Sequence, residues 1–504
     1  MAGQQASHIS VRTRPLMAVA LGFLLALGGI AQSADQREAE IGGDFQISFM
    51  GGVDPDDGEV EYPSMAYNSD ADNFLVVWRG EQDIPPLADD EYEIYGTIVT
   101  PGVAPSTHFR ISTAGPDGDV DWEANDPVAA YNSTNKEFLI AWYAPDDADD
   151  DDTDIYVSRY IPSTGTVTAD VEVSDTPDPP APYQTRDIAE YPDIVYNPDA
   201  NEYFVVYVAS HFNTADWSRG YEIFGRCVSV SGSPCGPQTR ISVMGPEPPD
   251  AAHTSYRPYY PAVAYNPAGD VYLVIWTGDT NIGSLVDDEW EIWGQLVDAS
   301  SGALIGGNFR ISQTGPDGDQ FHDAVHPDVA ADPDSGQFLA VWSDDRDTQY
   351  DRDIWGQRIN SYSGALMGSN FQISETLPAG SSPQYMGFHP APTYNQTDRE
   401  FLVVWYGVKS ELGENNMEIW GQRLDPRGNQ IGTNDFRISH MGPDGDPSPW
   451  SWSADDPSVA WSPRRGEYLV TWNGRFPLGL YGSDSEMFGQ RLMPDRLEYF
   501  VLDR

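Results

Sequence analysis

Residues 260–276 read YPAVAYNPAGDVYLVIW. Two short apolar runs flank an Asn-Pro turn, the pattern of a strand, a tight reversal and a returning strand. Six other segments copy it: YPSMAYNSDADNFLVVW at 62–78, DPVAAYNSTNKEFLIAW at 126–142, YPDIVYNPDANEYFVVY at 191–207, HPDVAADPDSGQFLAVW at 326–342, HPAPTYNQTDREFLVVW at 389–405 and DPSVAWSPRRGEYLVTW at 456–472. The spacing from the proline to the closing aromatic is the same in all seven, so the copies align without a gap.

Each copy belongs to a longer unit. A third strand opens on an acid: EIYGTIV at Glu93, DIYVSRY at Asp154, EIFGRCV at Glu222, EIWGQLV at Glu291, DIWGQRI at Asp353, EIWGQRL at Glu418 and EMFGQRL at Glu486. A fourth ends on Ser48, Ser112, Ser174, Ser242, Ser312, Ser374 or Ser439. Four strands recurring about every 65 residues is the pattern of a β-propeller. The expected fold is therefore all-β, a seven-bladed β-propeller of four-stranded antiparallel blades. The seventh set has no fourth strand, and a spare one, FQIS at 45–48, precedes the first. Pairing that N-terminal strand with the last blade would close the ring and remove a free sheet edge.

At the N-terminus, Arg12 and Arg14 precede an uncharged apolar run at 16–30 and then small residues. The run is short for a membrane span and has the layout of a cleaved signal peptide, residues 1–34, leaving 35–504 as the propeller. Localisation is then secreted: extracellular, periplasmic or attached to the cell surface, with no membrane span after cleavage. The formal net charge is −52, with 79 acidic against 27 basic residues. Such a surface repels nucleic acid and anionic membranes, and suits a salty medium or the collection of cations. Cys227 and Cys235, in one hairpin loop, are expected to form a disulfide.

The second strands, such as FLVVW at 74–78, are apolar on both faces, as expected for sheets sandwiched between sheets. Their tryptophans are read as core. The connections after the second and fourth strands vary in length, and in an up-and-down blade both emerge on one face, where ligand-reading loops are expected. Those loops are acidic. GPDGD occurs at 115–119, 315–319 and 442–446. Asp117, Asp119 and Asp121, Asp317 and Asp319, and Asp444 and Asp446 have the alternate spacing of hard-cation ligands, which makes calcium the one candidate cofactor, with no cofactor as the alternative. Pro-Asp-Gly is also an ordinary turn sequence.

The acid opening each third strand is read as architecture, paired across the sheet with Arg110, Arg240, Arg310 or Arg437. The residues before the first-strand prolines are Tyr62, Asp126, Tyr191, Tyr260, His326, His389 and Asp456. They are expected to ring the mouth of the central channel and to bind the ligand there. His322, Asp323 and His326 form a weaker transition-metal set.

The FRIS, VAYN, FLVVW, EIWGQR blade resembles repeats of large secreted or surface-associated bacterial proteins, mostly without an assigned activity. The resemblance covers 45–492 and implies an architecture more than a chemistry. No Ser/His/Asp constellation, phosphate loop or HExxH stands out, nor the Ser-x-Asp-x-Gly-x-Thr-Trp box of sialidase-like blades. Two function classes remain. The residues favour a non-enzymatic binding or adhesion module that presents acidic loops to an extracellular protein, peptide or glycan. The alternative is a secreted polysaccharide hydrolase or lyase using paired carboxylates at the mouth, Asp126 and Asp456, expected in adjacent units.

Overall fold

The structure, a computed structural model, describes residues 39–494 except 51–58, 83–84, 146–151, 176–187, 213–218, 246–255, 281–282, 349–350, 375–386, 409–416, 443–451 and 478–482. The expected signal peptide, Asp444 and Asp446 lie outside the described residues. Among the described residues there is no helix, and none is long and apolar enough to cross a membrane.

The chain folds into four-stranded antiparallel meanders. In the first unit, Val60–Asn68 pairs with Asn73–Glu81, then Tyr92–Val99, then Phe109–Arg110. The same order recurs along the chain. The strands form six sheets, not seven separate ones, because the sixth and seventh units share a nine-stranded sheet through one parallel pair, Met417 with Ser453. The spare N-terminal strand Phe45–Gln46 lies antiparallel to Gly489 and Phe488 of the last unit.

Local chemistry explains the repeat. The Asn of each YN pair closes the turn after the first strand: Asn68 Oδ1 accepts the amides of Asp70 and Ala71 at 3.0 Å each. Asn132, Asn197, Asn266, Asp332 and Asn395 do the same. This side-chain turn is what Asn and Asp supply and apolar residues cannot. The glycine of the third strand lets the fourth approach: a Cβ on Gly96 would stand 2.9 Å from Ile111, and one on Gly489 would stand 2.9 Å from Ile47 of the N-terminal strand.

The core lies between sheets. Trp78, Trp142, Trp276, Trp342, Trp405, Trp472 and Tyr207 are all fully buried. Each of seven apolar clusters joins two units. Six join units consecutive in sequence; the seventh joins Phe74, Val76 and Trp78 of the first unit to Ala460, Leu469 and Met487 of the last. Deleting one such tryptophan side chain would cost about 3–5 kcal/mol. Tyrosine hydroxyls tie neighbours further, as Tyr131 to Asp70 (2.9 Å) and Tyr265 to Asp199 (2.7 Å). Cys227 and Cys235 form the disulfide, with Cα atoms 5.2 Å apart.

Candidate functional site

All seven first strands carry a register break at the same place: Glu61 to Ser64, Asn125 to Val128, Glu190 to Asp193, Tyr259 to Ala262, Val325 to Asp328, Phe388 to Ala391 and Asp455 to Ser458. Proline explains it. With no N–H to give, proline cannot sit in an unbroken ladder, and a bulge accommodates it. The residue before it takes a left-handed backbone in every unit, with φ of 52° at Tyr62, 46° at Asp126, 55° at Tyr191, 51° at Tyr260, 52° at His326, 44° at His389 and 48° at Asp456. Residues before proline ordinarily stay extended, and left-handed non-glycine backbone costs of order 1–3 kcal/mol. Seven such costs in one place are held there by the surrounding sheets. The result is a shared cavity of about 320 Å³ lined by the seven pre-proline residues, their prolines, and the residue after each.

The lining is uneven. Each first strand packs on the next, and Ser453–Ser462 packs on Val60–Asn68. One arc is aromatic: Tyr191 to Tyr260 is 4.9 Å between ring centres, Tyr260 to His326 is 4.7 Å, and His326 to His389 is 4.0 Å. The other arc is Asp456, Tyr62 and Asp126. His389 joins the arcs, its Nδ1 standing 2.5 Å from Asp456 Oδ1. At that separation the imidazole nitrogen is the donor and the carboxylate accepts.

The two aspartates differ in surroundings. Burial drives the Asp126 carboxyl up to about 7; Arg79 opposes this, while the negative Asp456, Glu190 and Glu61 reinforce it. Asp126 therefore exchanges its proton near neutral pH, well above the ordinary carboxylate range. Asp456 is instead engaged by His389. Arg79 is itself committed, to Glu61 at 2.5 Å and Glu123 at 2.7 Å. Tyr62, between the aspartates, is pushed up to about 12 by burial and then by Asp126, Glu61 and Asp456, so it stays a neutral hydroxyl. His326 is held far below its ordinary value by burial, then by His389 and Arg352.

A second tier of the cavity comprises Ser64, Val128, Asp193, Ala262, Asp328, Ala391 and Ser458. Asp193 accepts the amide of Val263 at 2.7 Å, and burial raises it to about 6. Asp328 is raised well above the ordinary range by burial and by the charge of Asp193. The sequence reading missed this tier. Its signal was available in the YPD and HPD triplets, where the residue after proline returns to the channel side.

Other expected sites are placed differently. Asp126 and Asp456 are not in adjacent units: Asp126 belongs to the second, and Tyr62 of the first stands between them. His326 has His389 as its neighbour, whereas His322 Nδ1 lies 3.2 Å from Asp319. Asp117 and Asp317 each bind the arginine of their own unit, Arg110 and Arg310, at 2.7 Å. Asp119 and Asp319 accept backbone amides within their turns, from Asp121 and Phe321. Among the described residues, one all-carboxylate group has the spacing to hold a metal ion: Glu81, Asp89 and Asp90.

No family model and no curated protein matches the chain. Solved structures similar to it include the NanB sialidase from Streptococcus pneumoniae, with a TM-score of 0.45 and 9% identity over 89% of this chain and 70% of that one. Others are the GH93 α-L-arabinofuranosidase of Fusarium graminearum, 0.44 and 12% over 90% and 98%, and the α-L-arabinanase of Penicillium chrysogenum, 0.43 and 11% over the same shares. No residue role is carried over from them. By their names these are a sialidase, an arabinofuranosidase and an arabinanase, at odds with the expected non-enzymatic binding and adhesion module, which rested on motif absence and loop charge alone.

Proposed function

We propose that this protein is a secreted hydrolase of neutral glycans, a seven-bladed β-propeller whose ring the N-terminal strand closes. The cluster shared by the first and last units supports the closure. The observation that carries the activity is the contrast between two carboxyl groups on one cavity: Asp126, which burial raises to about 7, and Asp456, held by His389. Two carboxyl groups placed in unlike environments are the means by which one site supplies both an acid and a base. Asp126 donates a proton to the departing glycosidic oxygen, Asp456 takes one from water, and the arc of Tyr191 and Tyr260 offers ring faces to a sugar. A lyase would have to attract a uronate. An acid-lined mouth on a chain of net charge −52 repels one, so hydrolysis of an uncharged glycan is the better fit.

The test is release of reducing ends from arabinan, galactan, xylan, mannan and polygalacturonate by the wild type and by the Asp126→Asn/Asp456→Asn double variant. Cleavage of a neutral polymer that the double variant abolishes supports the reading. Cleavage of polygalacturonate alone, or of nothing, refutes it.

A further inference from the structure

We infer that glycoside hydrolysis at this mouth inverts the anomeric configuration, with a single water placed between the sugar and Asp456. The inference rests on the hydrolase reading above and adds the stereochemical course to it. The spacing of side chains around the mouth carries it. Along the aromatic arc, one step from unit to unit is 4.9, 4.7 or 4.0 Å between ring centres. Asp126 and Asp456 are two steps apart, with Tyr62 on the strand between them and partly exposed to the same cavity.

In a seven-membered ring two steps span about 1.8 times one. That gives about 7–9 Å between the acidic groups, inside the roughly 6.5–9.5 Å of inverting pairs and beyond the roughly 5–5.5 Å of retaining ones. Aspartate is shorter than tyrosine or histidine, so the ring-centre spacing is a lower bound for the two carboxyl groups and keeps them beyond the retaining separation. A nucleophilic aspartate opposite Asp126 would have to occupy the place of Tyr62, whose phenol stays protonated in this acidic setting.

The single displacement balances. Water bonds to the anomeric carbon from the side of Asp456, which takes its proton. The bond from that carbon to the glycosidic oxygen breaks on the side of Asp126, whose proton goes to the leaving oxygen. Asp456 ends protonated and Asp126 ionised, and exchange with solvent restores both. His389 touches neither bond; it is a positioning residue that holds the Asp456 carboxylate toward the water.

The experiment follows the anomeric proton signals of new reducing ends by NMR, before mutarotation, on whichever neutral polymer the wild type cleaves. A parallel incubation with a 2,4-dinitrophenyl 2-deoxy-2-fluoroglycoside of the same sugar is read by mass spectrometry. First-formed product of opposite configuration to the substrate, and no adduct on the protein, is the expected result. Retained configuration, or a fluoroglycosyl adduct on an aspartate or tyrosine, overturns the inference while leaving the hydrolase reading in place. No cleavage of any polymer overturns both.

Discussion

Ser112 donates its hydroxyl to the buried carboxylate of Glu93, while the same oxygen accepts the amide of Ile94 at 2.7 Å. The pairing recurs in every unit: Ser48 with Glu486, Ser174 with Asp154, Ser242 with Glu222, Ser312 with Glu291, Ser374 with Asp353 and Ser439 with Glu418. It clasps the third strand to the fourth, and in the last unit it clasps the chain's two ends. Ser112→Ala leaves a buried carboxylate short of one partner. The expected cost is about 1–3 kcal/mol, seen as a lower urea midpoint at unchanged slope. A midpoint equal to the wild type would show the clasp to be incidental.

Acid pH should stabilise this protein down to about pH 5. Burial lifts Glu93, Asp126 and Asp279 to about 7, and Asp193, Asp323 and Asp455 to about 6. A carboxyl group whose folded value exceeds its unfolded one binds more protons when folded. Its proton favours the fold at low pH, and that advantage is lost as pH rises from the ordinary carboxylate range through about 6–7. Relief of the −52 charge acts the same way. Melting temperature is expected to rise between pH 8 and pH 5, and at pH 8 to rise with added NaCl. A maximum at pH 8 in low salt would contradict this.

Asp328→Asn should stabilise the fold at pH 8. The carboxyl is raised by burial and by Asp193, and its Oδ1 accepts the Val329 amide at 2.6 Å. Asparagine keeps that acceptor and carries no charge at any pH, so the variant is expected to melt above the wild type at pH 8. The gain should shrink at pH 5, and differential scanning calorimetry at the two pH values reads it directly.

Much of this was legible in the residues. The fixed spacing from Pro63 to Trp78 and its copies marks two paired strands, and the FLVVW runs, apolar on both faces, mark burial between sheets. The residues before the prolines could be placed at one mouth because first strands share a position in each unit. What was not legible was contact across units. Arginine looked like the partner of four third-strand acids because it is long and charged; Arg110, Arg310 and Arg437 do bind theirs, but the constant partner is the serine, whose short side chain reaches the acid only because the strands are so close. The His389–Asp456 contact joins residues 67 positions apart in different units, and the rise of the Asp126 carboxyl comes from burial and from the charges of Asp456, Glu190 and Glu61, against the opposing Arg79. No local pattern encodes either.

His389→Ala should slow hydrolysis more than it unsettles the fold. Without the imidazole, the Asp456 carboxylate loses the donor that fixes its position. The expected result is a kcat lower by about 10- to 100-fold with melting temperature nearly unchanged. His389→Gln, which keeps a donor, should recover part of the rate. An unchanged kcat would remove His389 from the mechanism.

The most direct test of the mouth as a hydrolytic site is the Asp126→Asn variant assayed on two glycosides of the same neutral sugar, one with a 2,4-dinitrophenyl leaving group and one with an ordinary sugar alcohol. An activated phenol departs without a proton, whereas a sugar alcohol needs one. The account predicts near wild-type kcat on the first and a loss of about 10²–10⁴-fold on the second. Equal losses on both, or no loss on either, would contradict it.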